Sequence, residues 1–301
     1  MDSSQTSRIV DLESISLHIV EEGPANGEPV LMLHGFPEFW WAWRKQSSAL
    51  AEAGFRVVMV DMRGYGQSEA PTDVSDYRIA NLVDDIVRLA SHLGWQRFNI
   101  VGHDWGGIVA WAVASLHPMR VKRLIVLNAP HIDVMADVLR KMPSQMVRSA
   151  YIAFFQLPSL PEALLSARRF KLLVDALTKT ARPGSFTDDE IERYRQQWQV
   201  EGHLKAMLNY YRALIREARP ALGRIVPPVL ILWGCRDRAL DFRLAKESLV
   251  QCANGRMCVH RSATHWVHLE EPEWTNGHII RFLAEDHELD RPEPGLFQET
   301  A

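Results

Sequence analysis

Val101-Gly102-His103-Asp104-Trp105-Gly106-Gly107 decides the reading of this chain. The apolar run Phe98 to Val101 leads into it and the helical segment Ile108 to Leu116 leaves it, which gives strand, tight turn and helix. Glycines flank Asp104 at positions 102 and 106. That spacing holds a nucleophile on a strained turn at the end of a strand, with glycine where a side chain would block close backbone approach. Such an elbow commonly carries Ser at its centre, and here the residue is Asp. An aspartate before a helix can serve simply as its cap, but partners further along the chain favour a nucleophile. A carboxylate is ionised at neutral pH and needs no base to activate it. It can displace a leaving group at saturated carbon and become an alkyl ester. Hydrolysis of that ester does need a base and an oxyanion hole.

Working outward, Ile9 to Val20 alternates as a strand pair closed by Gly23-Pro24. Short apolar runs recur at Val30 to Leu33, Arg56 to Val60, Phe98 to Val101, Arg123 to Leu127, Val229 to Leu232 and Met257 to Val259. Amphipathic segments separate most of them, such as Asn81 to Leu93 with Leu82, Ile86, Leu89 and Leu93 at helical spacing. Strands alternating with helices predict an α/β protein with a mostly parallel sheet covered on both faces. From about Ile132 to Pro220 the rhythm stops and helix follows helix. This predicts a helical insertion, dividing the chain into a first core part (1–131), a cap (132–220) and a second core part (221–301). The tail after about Asp286 is polar and contains Pro, and is expected to be a loose end.

An acid and then a His are expected to follow such an elbow in chain order. Asp237 falls in the loop after the Val229 strand, within Trp233-Gly234-Cys235-Arg236-Asp237-Arg238. His265 falls immediately after the Met257 strand, within Ser262-Ala263-Thr264-His265-Trp266-Val267-His268. His265 is expected to be the base that activates water, with Asp237 fixing its tautomer and stabilising the imidazolium. The chain has 12 histidines, and His268 is the nearest competitor; position relative to the strand favours His265. Asn128, at the end of the preceding strand, is an amide and cannot be the acid. His34-Gly35-Phe36-Pro37-Glu38 suits a tight loop after the first core strand. The N–H groups of Phe36 and Trp105 are the expected oxyanion hole, since Pro37 has none to donate. Glu38 reads as a salt-bridge residue rather than part of the site rim.

The helical insertion contains Tyr151, Tyr194, Tyr210 and Tyr211. Between His203 and Arg219, Leu204, Met207, Leu208, Leu214 and Ile215 mark a stripe that includes Tyr211, with Tyr210 about 100° away. Val147, Ala150, Phe154 and Phe155 mark a stripe that includes Tyr151. Two tyrosines on two helices are therefore expected to face inward. Tyr194, in the charged stretch Asp188 to Gln197, is expected on a solvated face. A phenol suits the alkoxide released by an opening epoxide, whereas a departing halide wants N–H donors and no acid.

A chain of 301 residues, 47% of them hydrophobic, can bury a sizeable core. A net charge of -3 without a dense Lys/Arg run gives no reason to expect a nucleic-acid partner. Cys235, Cys252 and Cys258 cannot all pair with one another and show no C-x-x-C spacing, so a reduced cytoplasmic compartment is expected. No basic-then-apolar leader opens the chain and no apolar run reaches membrane length, so no membrane partner is expected.

These residues resemble the soluble epoxide hydrolases of the α/β-hydrolase superfamily over nearly the whole chain. His34-Gly35-Phe36-Pro37-Glu38 is similar to that family's oxyanion loop, whose bond before Pro is characteristically cis. Asp61-Met62-Arg63-Gly64-Tyr65-Gly66-Gln67-Ser68 is similar to its next loop, and Gly102-His103-Asp104-Trp105-Gly106-Gly107 to its elbow. Tyr151-Ile152-Ala153-Phe154-Phe155-Gln156 and Leu208-Asn209-Tyr210-Tyr211-Arg212 resemble the two segments that carry its ring-opening tyrosines. Asp237 and His265-Trp266 fall on its acid and base. The resemblance implies an α/β-hydrolase fold, with a mostly parallel eight-stranded sheet flanked by helices and an inserted helical cap. It also implies conversion of a small apolar epoxide to a vicinal diol through an ester on Asp104, with no metal and no organic cofactor. Haloalkane dehalogenases share Asp-Trp-Gly and remain an alternative, as does a binding protein that kept the fold; an esterase would want Ser at position 104. Which epoxide is used, and whether the chain forms a homodimer, stay open at this point.

Overall fold

The structure, a computed structural model, describes residues 5–285 and 297–300. It begins with the antiparallel pair β1 (Thr6–Asp11) and β2 (Ser16–Glu22). Then come β3 (Glu28–Leu33), β4 (Phe55–Val60), β5 (Phe98–His103), β6 (Val121–Leu127), β7 (Val229–Gly234) and β8 (Gly255–His260). These eight strands lie in the order β1-β2-β4-β3-β5-β6-β7-β8, and every pair from β4 onward is parallel. A ninth strand, β9 (Phe297–Thr300), adds parallel to β8. Part of the tail expected to be a loose end is thus paired, while residues 286–296 lie outside the described residues.

The central strands show no polar alternation because both faces of the sheet are covered. Leu31, Leu33, Val58, Val60 and Ile100 join the core on one face. Val30, Met32, Val57, Met59 and Val101 join the core on the other. The covering helices of the first part are α1 (Ser47–Glu52), α2 (Ile79–His92) and α3 (Trp105–Leu116). Helix α3 is apolar all round, as a helix buried on all sides must be: Val109 through Ala114 are fully buried. It carries the elbow's exit into the centre of the protein, and its Trp111 indole donates to the Ala129 carbonyl at 3.1 Å.

Between β6 and β7 run α4 (Ile132–Lys141), α5 (Pro143–Arg148), α6 (Ala150–Phe155), α7 (Leu160–Thr178), α8 (Asp188–Trp198) and α9 (His203–Arg216). Helix α7 is broken at Ala167 to Phe170, where Arg168, Arg169 and Phe170 take positive φ. The second part adds α10 (Arg243–Val250), α11 (Val267–Glu270) and α12 (Pro272–Ala284). Among the described residues no helix is long and apolar enough to cross a membrane.

The inserted helices rest on the C-terminal ends of the strands. The Tyr210 hydroxyl donates to the Arg63 carbonyl at 2.7 Å, and the Trp198 indole to the Pro37 carbonyl at 2.7 Å. Two apolar residues predicted to face inward do not: Val147 and Ile215 are exposed. The first stripe was read along one helix, but the chain breaks at Ser149 between α5 and α6, which rotates Val147 out of phase with Tyr151. The second lies in the last turn of α9, beyond the part that packs.

Candidate active site

Asp104 stands between β5 and α3 with φ 48° and ψ −119°. A non-glycine residue in such a conformation costs about 1–3 kcal/mol and persists only where its surroundings impose it. The helix-cap alternative fails on geometry, because the Asp104 side chain makes no cap hydrogen bond to α3. It turns instead toward the loop after β3, where the Phe36 N–H donates to Oδ1 at 2.9 Å. Two glycines make that approach possible. A Cβ on Gly35 would lie 2.3 Å from the Asp104 Cβ, and one on Gly106 would lie 2.1 Å from the Leu33 carbonyl oxygen. Trp105 opens α3, so its N–H has no acceptor within the helix. The Phe36-Pro37 peptide bond is cis.

On the other side of Asp104 stands His265, with Nε2 3.6 Å from Oδ2. The opposite ring nitrogen, Nδ1, lies 2.7 Å from Asp237 Oδ2. The loop after β7 satisfies Asp237 from several directions. Ala239 and Leu240 donate their N–H groups to Oδ1 at 2.7 and 2.9 Å, and Asn128 donates its amide to Oδ2 at 2.8 Å. The Arg148 guanidinium donates to the Asp237 backbone carbonyl at 2.9 Å. Asn128 is therefore no acid but a hydrogen-bond donor to it, a role that strand-end position alone did not reveal.

Burial would by itself pull His265 down. The charge of Asp237 and the hydrogen bonds to Asp104 and Asp237 outweigh it and push His265 up to about 10. Burial would likewise raise Asp104, but the hydrogen bond and charge of His265, with His103 and the Phe36 N–H, hold it below the usual carboxylate range. The resting pair is thus carboxylate and imidazolium.

A cavity of about 420 Å³ opens over these groups, lined by Phe36, Asp104, Tyr151, Tyr211, His265 and Trp266 among others. Tyr151 and Tyr211 come from α6 and α9, and their rings lie 5.8 Å apart. The Tyr211 ring is 5.1 Å from that of Trp105 and 5.4 Å from that of Phe36. Burial first, and then Tyr151 and the Asp104 charge, push the Tyr211 hydroxyl well above its ordinary value. Burial and the charge of Asp104 push Tyr151 up in the same way. Tyr210, about 100° off the stripe read as inward-facing, is nevertheless fully buried and points into the core against Tyr65 and Tyr77.

Tyr194 does not lie on a solvated face. It is fully buried and donates its hydroxyl to Glu38 Oε1 at 3.0 Å. Helix α8 is charged over most of its surface, and its few buried residues are Ile191, Tyr194 and Trp198. That i, i+3, i+7 spacing was the available signal, masked by the surrounding charge. Glu38 is also buried, with Oε2 3.2 Å from His103 Nδ1, and His103 Nε2–H donates to the His265 carbonyl at 3.0 Å. His268 faces this buried cluster, 3.7 Å from Glu38, and not the cavity. Burial and neighbouring His103 push it down to about 4. Glu38, His103 and His268 bring three donor atoms within 4.8 Å of one another. Hydrogen bonds to Tyr194, to the His265 carbonyl and within the group already occupy Glu38 and His103.

A strand-borne Asp elbow, a His and a second Asp beneath an inserted set of helices define the α/β-hydrolase class. The family described as alpha/beta hydrolase fold matches residues 28–272. Over 279 residues the chain is 39% identical to AB hydrolase superfamily protein YfhM of Bacillus subtilis (strain 168), covering 92% of this chain and 97% of that protein. It is 36% identical to epoxide hydrolase 2 of Caenorhabditis elegans, covering 93% of this chain and 80% of that one. A solved structure described among novel epoxide hydrolases from metagenomes of hot environments superposes with a TM-score of 0.84 at 33% identity, covering 93% of this chain and 99% of that one. The chain belongs to the epoxide hydrolases of the alpha/beta hydrolase fold.

Proposed function

We propose that this protein hydrolyses epoxides to vicinal diols through an alkyl ester of Asp104. The observation that carries the reading is one cavity lined at once by Asp104, His265, Tyr151 and Tyr211. In the first step an Asp104 carboxylate oxygen attacks a ring carbon and the ring C–O bond breaks. The released oxygen takes its proton from the hydroxyls of Tyr151 and Tyr211, which burial keeps protonated at neutral pH.

Forming the ester removes the charge of Asp104. His265 then keeps only one of its two anionic neighbours, so its affinity for a proton falls; it gives up its proton, by way of water, to the tyrosinate left by ring opening and can then act as a base. It takes a proton from water, which attacks the ester carbonyl. The N–H groups of Phe36 and Trp105 hold the oxyanion, and Asp237 stabilises the imidazolium. Collapse breaks the bond between the Asp104 carbonyl carbon and the alkoxy oxygen, which takes the second proton of the attacking water, releasing the diol and restoring the carboxylate. The helices between β6 and β7 act as the cap that supplies the tyrosines. The largely apolar cavity favours an apolar epoxide.

A dehalogenase would want the Trp105 indole free for halide, whereas here the Tyr211 ring packs edge-on against it at 5.1 Å. Single turnover in heavy-oxygen water tests the covalent route. The expected result is label in the Asp104 carboxylate by peptide mass spectrometry; label confined to the diol overturns it. Halide release from chloroalkanes without diol from any epoxide would overturn the substrate class.

A further inference from the structure

Helix α8 contributes nothing to the cavity lining, yet it grips the loop that carries the Phe36 N–H. Its two polar aromatic residues each place one donor on that loop. The Trp198 indole N–H donates to the Pro37 carbonyl at 2.7 Å, and the Tyr194 hydroxyl donates to Glu38 Oε1 at 3.0 Å. Their rings stack at 5.9 Å with an interplanar angle of 27°, so the two donors form one unit. Tyr194 also meets Phe39 at 5.5 Å and Trp41 at 6.2 Å. A capping box of Thr187 and Glu190 fixes the start of the helix, and Glu190 further pairs with Arg44 at 2.7 Å. The contacts of α8 with residues 37–44 therefore begin immediately after Phe36.

The loop needs such support. Pro37 has no N–H of its own to anchor it, and within the turn the Glu38 N–H donates to the Gly35 carbonyl at 2.9 Å. Glu38 carries the restraint further. Its second oxygen lies 3.2 Å from His103, the residue before the nucleophile, and His103 holds the His265 carbonyl at 3.0 Å. One carboxylate thus links α8 to the oxyanion loop, the elbow and the loop of the base.

We propose that Tyr194 and Trp198 are positioning residues for the second half-reaction, setting the Phe36 N–H against the oxyanion that forms when water attacks the Asp104 ester. The inference rests on the covalent reading above. It separates the two steps, because ring opening draws on Tyr151 and Tyr211 from α6 and α9, whereas ester hydrolysis draws on the loop that α8 braces. A donor displaced from the oxyanion loses part of the roughly 10²- to 10³-fold that such a donor supplies.

The test uses Tyr194→Phe, Trp198→Phe and the double variant, which keep the aromatic packing and remove the donors. Ester formation and ester decay are followed separately, with styrene oxide as probe, by rapid quench and intact-mass spectrometry. The expected result is decay slowed about ten- to hundredfold in the double variant, with ester formation near the wild-type rate and alkyl-enzyme accumulating at steady state. Should the double variant fold poorly, Trp198→Phe alone is expected to show the same split to a smaller degree. Unchanged decay, or equal slowing of both steps, would overturn the proposal and leave α8 a packing element. Absence of any Asp104 ester in the wild-type protein would instead defeat the covalent reading.

Discussion

The floor of the cavity is charged and its roof is neutral. Asp104, His265 and Asp237 come from strand ends; His265 lies between the two carboxylates, which raise its proton affinity, and it lowers that of Asp104 in turn. Tyr151 and Tyr211 come from inserted helices and, opposite to Asp104, are pushed up into the protonated form by burial and by the charge of Asp104. For the proposed reaction, the difference would let one small space hold a nucleophile and its acid together. The group that must be ionised is stabilised by a cation, and the groups that must keep their protons are kept away from water.

Exchanging single groups across that divide is expected to give opposite failures. His265→Gln on the floor is expected to load but not discharge, with turnover down about 10⁴-fold or more and a stable mass adduct after addition of epoxide. No adduct would place the base elsewhere. On the roof, Tyr151→Phe combined with Tyr211→Phe is expected to slow ring opening about 10³-fold and to leave the enzyme unloaded. An unaffected rate of ester formation would return both tyrosines to the core.

The floor's charge also predicts a pH dependence of stability. His265 binds its proton more tightly in the folded protein, at about 10 against an ordinary 6.5. Its contribution is fully present below pH 6.5 and is lost as pH rises toward 10. The Tm is expected to fall by several degrees across that window, and His265→Gln is expected to flatten the slope. A wild-type slope that survives the substitution would assign it to other groups. The smallest effect belongs to Tyr210→Phe, next to Tyr211 but turned to the core. It is expected to cost about 1 kcal/mol of stability through the lost bond to Arg63, measurable by urea unfolding, with ester formation unchanged.

The same division explains what the sequence made legible. Floor residues sit in short contiguous motifs, where glycines and strand ends specify geometry locally; Gly102, Gly106 and the run His34 to Glu38 announce themselves. Roof residues depend on helix rotation, which a stripe reports only while the helix is continuous. Tyr211 lies well inside α9 and was legible. Val147 was not, because the break at Ser149 changes the phase. Tyr194 was hidden by the charge on α8, since composition weighs the whole helix whereas burial concerns one narrow line of it. Asn128 was legible only for what it could not do; its donation to Asp237 depends on two strands that meet through the sheet and not along the chain.

Asn128 and His265 both address the same oxygen of Asp237, one from the end of β6 and one from the loop after β8. The tips of adjacent strands are thus neighbouring seats for a single acid. Replacing the amide at position 128 by a carboxylate, and later the carboxylate at 237 by an amide, would move the acid one strand across the sheet while the base stayed in place.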